Sequence, residues 1–172
     1  RIFNSQPSYG DLVVFKTPSD NRTDYIKRLI GFPGDEIQFI NGELYLNKNK
    51  IQKNKYLNSQ KIMCGKSNSK VNFYKESLFG KNDYNIVYNK IGSMMNSDKY
   101  KVPNDHYFLL GDNRDCSRDS RFLSSVGYVH QDNLVGKAQI VFFSNDTHKG
   151  SLFKFWNWKN SMRGDRFFKK LK

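Results

Sequence analysis

Glu36-Ile-Gln-Phe-Ile-Asn-Gly-Glu-Leu-Tyr-Leu46 is the stretch of sequence that decides the fold. Apolar and polar residues alternate on both sides of Asn41-Gly42, with the period of two that a half-buried β-strand requires. Asn-Gly readily adopts the two positive φ angles of a tight type I′ turn, so the stretch predicts a β-hairpin. We therefore predict a mainly β fold made of antiparallel sheets.

Further strands are predicted on both sides of this hairpin. Leu12-Val-Val-Phe15 follows a Gly-Asp turn, and Tyr25 to Ile30 is its predicted partner across a polar loop. Strong strand patterns return at Tyr107-Phe-Leu-Leu110 and at residues 134–143. The predicted β core comprises residues 1–47 and 101–148.

Two other regions differ from this core in composition. Residues 48–100 intersperse Lys, Asn and Ser, with weaker alternation at Lys70 to Tyr74 and Tyr84 to Tyr88. They predict a smaller β-rich insertion made of short or edge strands. Residues 149–172 form a basic aromatic tail, whose rings and cations suit a membrane interface. The alternatives are a tail docked on the protein's own core, a disordered basic tail, and a segment that binds nucleic acid.

Length and charge limit the class of protein. The chain has 172 residues, enough for one domain or one domain with an insertion, and a formal net charge of +13 at pH 7. Such a surface attracts polyanions, either anionic lipid headgroups or nucleic acid. No stretch approaches the roughly 20 apolar residues of a membrane span, and the chain starts at Arg1. We therefore expect a soluble piece of a longer protein.

Lys27 is the first candidate functional residue, within the lysine segment Tyr25-Ile-Lys-Arg-Leu-Ile-Gly-Phe-Pro-Gly-Asp35. In a strand, Lys27 shares one face with Tyr25 and Leu29, so apolar neighbours flank its amine. A lysine with the ordinary pKa near 10.4 is neutral only about once in a few thousand molecules at pH 7. Desolvation lowers that pKa, which makes Lys27 a candidate general base. An exposed edge strand carrying Lys27 and Arg28 is the alternative.

The second candidate segment is Gly111-Asp-Asn-Arg-Asp-Cys-Ser-Arg-Asp-Ser-Arg121, called the polar loop below. Its short polar side chains can bond backbone groups and hold an irregular loop rigid. A calcium loop is disfavoured, because the carboxylate spacing does not fit an EF-hand and the arginines would repel the ion. A phosphate loop is disfavoured too, because no glycine-rich Lys-Ser/Thr element follows a strand. No metal or cofactor is predicted.

In this order and at about this separation, the two segments resemble the motifs of bacterial type I signal peptidases. These are membrane-bound serine/lysine proteases that remove signal peptides from exported proteins. The resemblance covers about residues 10–47 and 102–143. It implies antiparallel sheets of the signal-peptidase and repressor-peptidase type. It also implies a serine endopeptidase that cleaves after small residues, with Lys27 as general base and no cofactor.

The resemblance assigns roles within the polar loop as well. Ser117 takes the position whose hydroxyl orients the neutral lysine amine. Asp119 and Arg121 take the positions of an ion pair that supports the active-site loop. The remaining scaffold positions are Asp112, Asn113, Arg114 and Asp115.

The nucleophile is not evident in the sequence. The family's serine, followed by Met and Pro, would precede the strand at Leu12, where only Ser5 and Ser8 occur in an unrelated context. Ser120 matches a structural position between Asp119 and Arg121. We therefore expect the nucleophile to lie upstream of this chain and the fragment alone to be inactive.

The implied partners are exported preproteins with signal peptides, membrane lipids and the secretion translocon, without nucleic acid. The implied location is the bacterial cytoplasmic membrane, with the catalytic domain on its periplasmic or extracytoplasmic side. One alternative is a non-catalytic basic β module that binds nucleic acid, with steeply salt-dependent affinity. The other is a soluble, self-cleaving serine/lysine relative of the repressor peptidases.

Cys64 and Cys116 are too few and too far apart in sequence for a zinc site. They allow one disulfide, which an oxidising compartment would permit. Unpaired thiols are the favoured interpretation, because the family motif usually carries no cysteine in the polar loop.

Overall fold

A computed structural model describes residues 6–65, 67–80, 83–89, 94–141 and 167–171. The chain forms two compact units, Arg1–Lys137 and Ala138–Lys172. The described strands of the first unit are β1 (Leu12–Lys16), β2 (Asp24–Gly31), β3 (Glu36–Ile40), β4 (Glu43–Leu46), β5 (Asn49–Lys50), β6 (Gln52–Cys64), β7 (Ser67–Ser77), β8 (Tyr84–Tyr88), β9 (Tyr100–Lys101), β10 (His106–Leu110), β11 (Val129–His130) and β12 (Leu134–Lys137). The mainly β prediction is confirmed.

A five-stranded antiparallel sheet forms the centre of the first unit, in the order β11-β10-β2-β1-β12. Side chains along β2 and β10 alternate between the two faces of this sheet, and an apolar cluster packs on each face. Leu29 and Leu109 pack in one cluster, while Ile30 and Phe108 pack in the other. Strand β2 is therefore buried on both faces over its second half.

The hairpin predicted at residues 36–46 is confirmed. Strands β3 and β4 pair from Ile37 opposite Leu46 to Ile40 opposite Glu43. The turn residues Asn41 and Gly42 have φ values of 50° and 76°, as a type I′ turn requires. The hairpin forms a four-stranded sheet in the order β5-β4-β3-β9, and its apolar face lies in the larger cluster.

The insertion differs from the short strands that the sequence predicts. Strands β6 and β7, called the insertion ribbon, have 13 and 11 residues and pair from Gln52 opposite Ser77 to Cys64 opposite Ser67. Strand β8 adds to β7 and buries Tyr84, Ile86 and Tyr88 in the larger cluster. Many side chains of the ribbon are exposed on both strands, which explains the weak alternation of its sequence.

Cys64 and Cys116 form a disulfide, with their Cα atoms 5.6 Å apart. Unpaired thiols, the favoured interpretation of the sequence, are therefore wrong. Strand β6 ends at Cys64, and the ribbon brings that end to the polar loop. A separation of 52 residues along the chain hides this proximity from the sequence.

In the second unit, β13 (Ile140–Val141) pairs antiparallel with β14 (Lys169–Lys170). Of the strand predicted at residues 134–143, the described part, residues 134–141, forms two short pieces, β12 and β13. Most of the basic aromatic tail, residues 149–172, lies outside the described residues, so its membrane contact stays a prediction. Within the described ranges, no helix is long and apolar enough to cross a membrane.

Candidate active site

Lys27 lies on β2 directly opposite Val13 of β1. Its side chain is half-buried, and Nζ lies 5.3 Å from the centroid of the Tyr25 ring. Val13 and Leu29 are fully buried in the smaller apolar cluster. The lysine amine therefore lies at the edge of an apolar cluster.

Burial lowers the pKa of the Lys27 amine from its ordinary value. The Asp119 carboxylate opposes this change because a negative charge stabilises the ammonium form, and Asp112 has a smaller effect in the same direction. The Arg121 guanidinium lowers the pKa further. Desolvation is the largest contribution, so the neutral amine is more populated than in an exposed lysine.

Ser117 and Lys27 both lie close to Gly111. A Cβ atom added to Gly111 would lie 2.0 Å from Ser117 Oγ and 3.6 Å from Lys27 Nζ. Ser117 Oγ is buried and has no hydrogen-bond partner in the part of the chain that the structure describes. Because an unpaired buried hydroxyl is costly, Ser117 is suited to bond a neighbouring polar group such as the amine.

Asp119 and Arg121 form a buried ion pair in the polar loop. Arg121 Nε donates to Asp119 Oδ1 at 2.8 Å, and Arg121 Nη2 donates to Asp119 Oδ2 at 2.8 Å. The second carboxylate oxygen also accepts the Gly111 N–H at 2.9 Å. This pair therefore fixes the two ends of the polar loop against each other.

Arg28 points away from Lys27 and is 2% exposed. Its Nε and Nη2 donate to the two carboxylate oxygens of Asp112 at 2.8 and 2.7 Å. Its guanidinium also lies over the Tyr84 ring, 3.9 Å from the centroid. Arg28 is therefore not on an exposed edge strand, and it ties β2 to the start of the polar loop.

The other scaffold residues contact the insertion. Asn113 bridges Val87 of β8, and its carbonyl oxygen accepts the Ser117 N–H at 2.9 Å. Arg114 is 1% exposed and pairs with Glu76 of β7. Sequence reasoning missed Glu76, because a single glutamate in a polar segment carries no signal of burial.

The clustered carboxylates of the polar loop have separate partners. Asp112 bonds Arg28, Asp115 accepts the Asn89 N–H at 2.6 Å, and Asp119 bonds Arg121. Among the described residues, no group of three or more His, Cys, Asp or Glu side chains could hold a metal ion. The calcium alternative therefore has no support in this geometry.

The lowered pKa of Lys27 predicts a pH-dependent stability difference between the wild type and Lys27→Met. Between the lowered native pKa and the ordinary value near 10.4, the unfolded chain binds more protons than the native chain. The free energy of unfolding of the wild type should therefore rise with pH relative to Lys27→Met. Urea unfolding from pH 7 to pH 10 measures the difference, with the exposed Lys55→Met variant as control. A difference that does not change with pH would contradict the prediction.

Residues 3–143 match the family model described as signal peptidase, peptidase S26. The chain belongs to this signal peptidase family. It is similar to proteins named signal peptidase I from two rickettsiae. One, from Rickettsia typhi, is 37% identical over 186 residues, and one from Rickettsia conorii is 39% identical over 188 residues. In both cases the alignment covers 99% of this chain and 68% of the relative.

A crystal structure of a signal peptidase I from Enterococcus faecalis is also similar, with a TM-score of 0.46 and 24% identity. The similarity covers 78% of this chain and 97% of that chain. As a member of the signal peptidase family, the chain is a peptidase. The family is membrane-anchored and acts on preproteins that bear signal peptides.

Proposed function

We propose that the chain carries the lysine general base of a serine endopeptidase that removes signal peptides from exported preproteins. The observation that carries the proposal is the half-buried Lys27 amine, whose pKa is lowered by burial, beside the buried Ser117 hydroxyl. A base must be neutral to accept a proton, and this position favours the neutral amine.

In the proposed reaction, neutral Lys27 accepts the proton of the attacking serine hydroxyl. The serine oxygen forms a bond to the substrate carbonyl carbon, and the peptide nitrogen leaves with a proton from the lysine ammonium. In the second step the same amine takes a proton from the attacking water, whose oxygen bonds to the acyl carbon. The bond from that carbon to the serine oxygen breaks, and the serine oxygen recovers its proton from the lysine ammonium. Ser117 orients the amine in both steps.

The attacking serine is proposed to lie outside residues 1–172. Ser120 is fully buried, and its Oγ accepts the Leu109 N–H at 2.9 Å, so its hydroxyl is not open to a substrate. Ser117 lies beside Gly111 in the orienting position. Neither Ser5 nor Ser8 has the family's Ser-Met context.

We also propose that the catalytic unit works at the extracytoplasmic surface of the bacterial cytoplasmic membrane, in contact with lipids and the secretion translocon. Large exposed apolar side chains follow the polar loop at Phe122 and Leu123, with 47% and 59% exposure. Ile26, next to Lys27, is 48% exposed. The net charge of +13 suits anionic headgroups around such side chains.

Cleavage of a purified preprotein by the full-length gene product in detergent tests the function. We expect one cut that releases the signal peptide after a small residue. A preprotein in which that small residue is replaced by a large one serves as the control and should stay intact. No cleavage, together with tight and strongly salt-dependent binding to single-stranded nucleic acid, would favour the basic binding module instead.

A further inference from the structure

We propose that Glu76 of the insertion ribbon is a positioning residue for Lys27 and Ser117, acting through Arg114 of the polar loop. The proposal rests on the proposed function, because it concerns the geometry of the proposed base. It gives the insertion a role in the reaction.

Glu76 and Arg114 form a fully enclosed ion pair. Glu76 is 1% exposed, and its Oε2 accepts Arg114 Nη1 at 2.9 Å while Oε1 accepts Arg114 Nη2. The Tyr84 hydroxyl donates to Glu76 Oε1 at 2.6 Å, and Arg114 Nη1 also donates to the Tyr88 hydroxyl at 3.2 Å. A buried guanidinium of this kind depends on its carboxylate, since its removal leaves an uncompensated charge.

Arg114 connects this ion pair to the rest of the site. Its carbonyl oxygen accepts Arg121 Nη2, and Arg121 pairs with Asp119, whose carboxylate bonds the Gly111 N–H. Ser117 and the Lys27 amine both lie close to Gly111. A continuous set of polar contacts therefore joins Glu76 to the Gly111 N–H, next to the lysine amine.

The backbone of the polar loop is attached to the insertion in parallel with this ion pair. Val87 of β8 donates its N–H to the Asp112 carbonyl at 2.9 Å, and its carbonyl accepts the Arg114 N–H at 3.0 Å. The Cys64–Cys116 disulfide joins the ribbon to the residue that precedes Ser117. Because the loop is held on several sides, loss of Glu76 should shift the loop without unfolding the unit.

The test compares Glu76→Gln with Glu43→Gln in the full-length gene product in detergent. Glu43 pairs with Lys50 and Lys53 and touches no residue of the polar loop among the contacts described. We expect Glu76→Gln to lower kcat by about tenfold to a hundredfold with little change in KM, because small misplacements of catalytic groups cost this order of rate.

We also expect the acidic limb of the pH–rate profile to move to higher pH, since water entering around Lys27 favours its ammonium form. Glu43→Gln should change neither quantity.

A second readout does not depend on cleavage. The protein is labelled with ¹³C-lysine, and the Cε resonance of Lys27 is identified because it is missing from the spectrum of Lys27→Met. The change of this resonance with pH reports the Lys27 pKa directly. Glu76→Gln should raise this pKa toward its ordinary value, and Glu43→Gln should leave it in place. If the wild type fails to cleave a preprotein, the proposed function fails, while the titration still decides whether Glu76 positions Lys27.

A folded Glu76→Gln protein with wild-type kcat, pH profile and Lys27 pKa would overturn the proposal. If Glu76→Gln does not fold, the double variant E76M/R114M removes both charges, a change that buried ion pairs often tolerate. We expect it to shift the Lys27 pKa in the same direction. Wild-type values in the folded double variant would equally overturn the proposal.

Discussion

Replacement of Lys27 by methionine is expected to lower kcat for preprotein cleavage by about a hundredfold to ten-thousandfold, the usual contribution of a general base. Methionine has nearly the length of lysine and fits the apolar surroundings of Tyr25 and Leu29. The loss of kcat is therefore caused by the missing base and not by a cavity at position 27. The measurement is single-turnover cleavage by the full-length gene product in detergent.

Two controls accompany this variant. Lys55→Met, on the exposed part of the insertion ribbon, should cleave at the wild-type rate. Lys27→Met should also be at least as stable as the wild type at pH 7, because it removes a charge whose burial lowers the pKa of the lysine amine. Wild-type cleavage by a folded Lys27→Met protein would remove Lys27 from the mechanism.

Gly111→Ala is expected to lower kcat by about a hundredfold, because the new methyl group displaces a group that orients the base. The added Cβ would lie 2.0 Å from Ser117 Oγ and 2.3 Å from Ser117 Cβ, so the serine has to move. The Gly111 N–H also bonds Asp119, which limits how far the glycine itself can shift. Stability should fall together with activity, and both urea unfolding and cleavage should be measured.

The double variant G111A/S117G separates the steric effect from the chemical one. Glycine at position 117 removes both atoms that the new methyl group would meet, so stability should recover. Activity should stay low, since the orienting hydroxyl is gone, and Ser117→Gly alone should show the same loss of activity. Full activity in G111A, or in the double variant, would argue that Ser117 does not orient the amine.

The core strands could be predicted because their signals are local. Asn41-Gly42 and the alternation on both sides of it determine the hairpin. Side chains along β2 alternate between its two faces, so Tyr25, Lys27 and Leu29 lie on one face. The burial of Arg28 could not be read from the same pattern. It depends on β2 having neighbours on both sides, which is a property of the whole sheet.

The insertion was harder to predict for a related reason. Exposed positions on both strands of the ribbon weaken the alternation that marks a strand, so the sequence predicts short or edge strands there and not the long strands β6 and β7. The Cys64–Cys116 disulfide and the Glu76–Arg114 pair join residues far apart in the chain. Such contacts leave no local pattern, and a lone glutamate looks like any solvated side chain.

The order of strands in the central sheet has a consequence for the timing of synthesis. Strand β1 pairs with β12 at the end of the first unit, and β2 pairs with β10. Contacts this distant in sequence close slowly, because a long stretch of chain has to be made and ordered first. Until β10 and the polar loop have left the ribosome, the sheet neighbour and the polar side chains that complete the surroundings of the Lys27 amine are missing. The proposed general base therefore acquires its environment only after residues 106–121 have been synthesised.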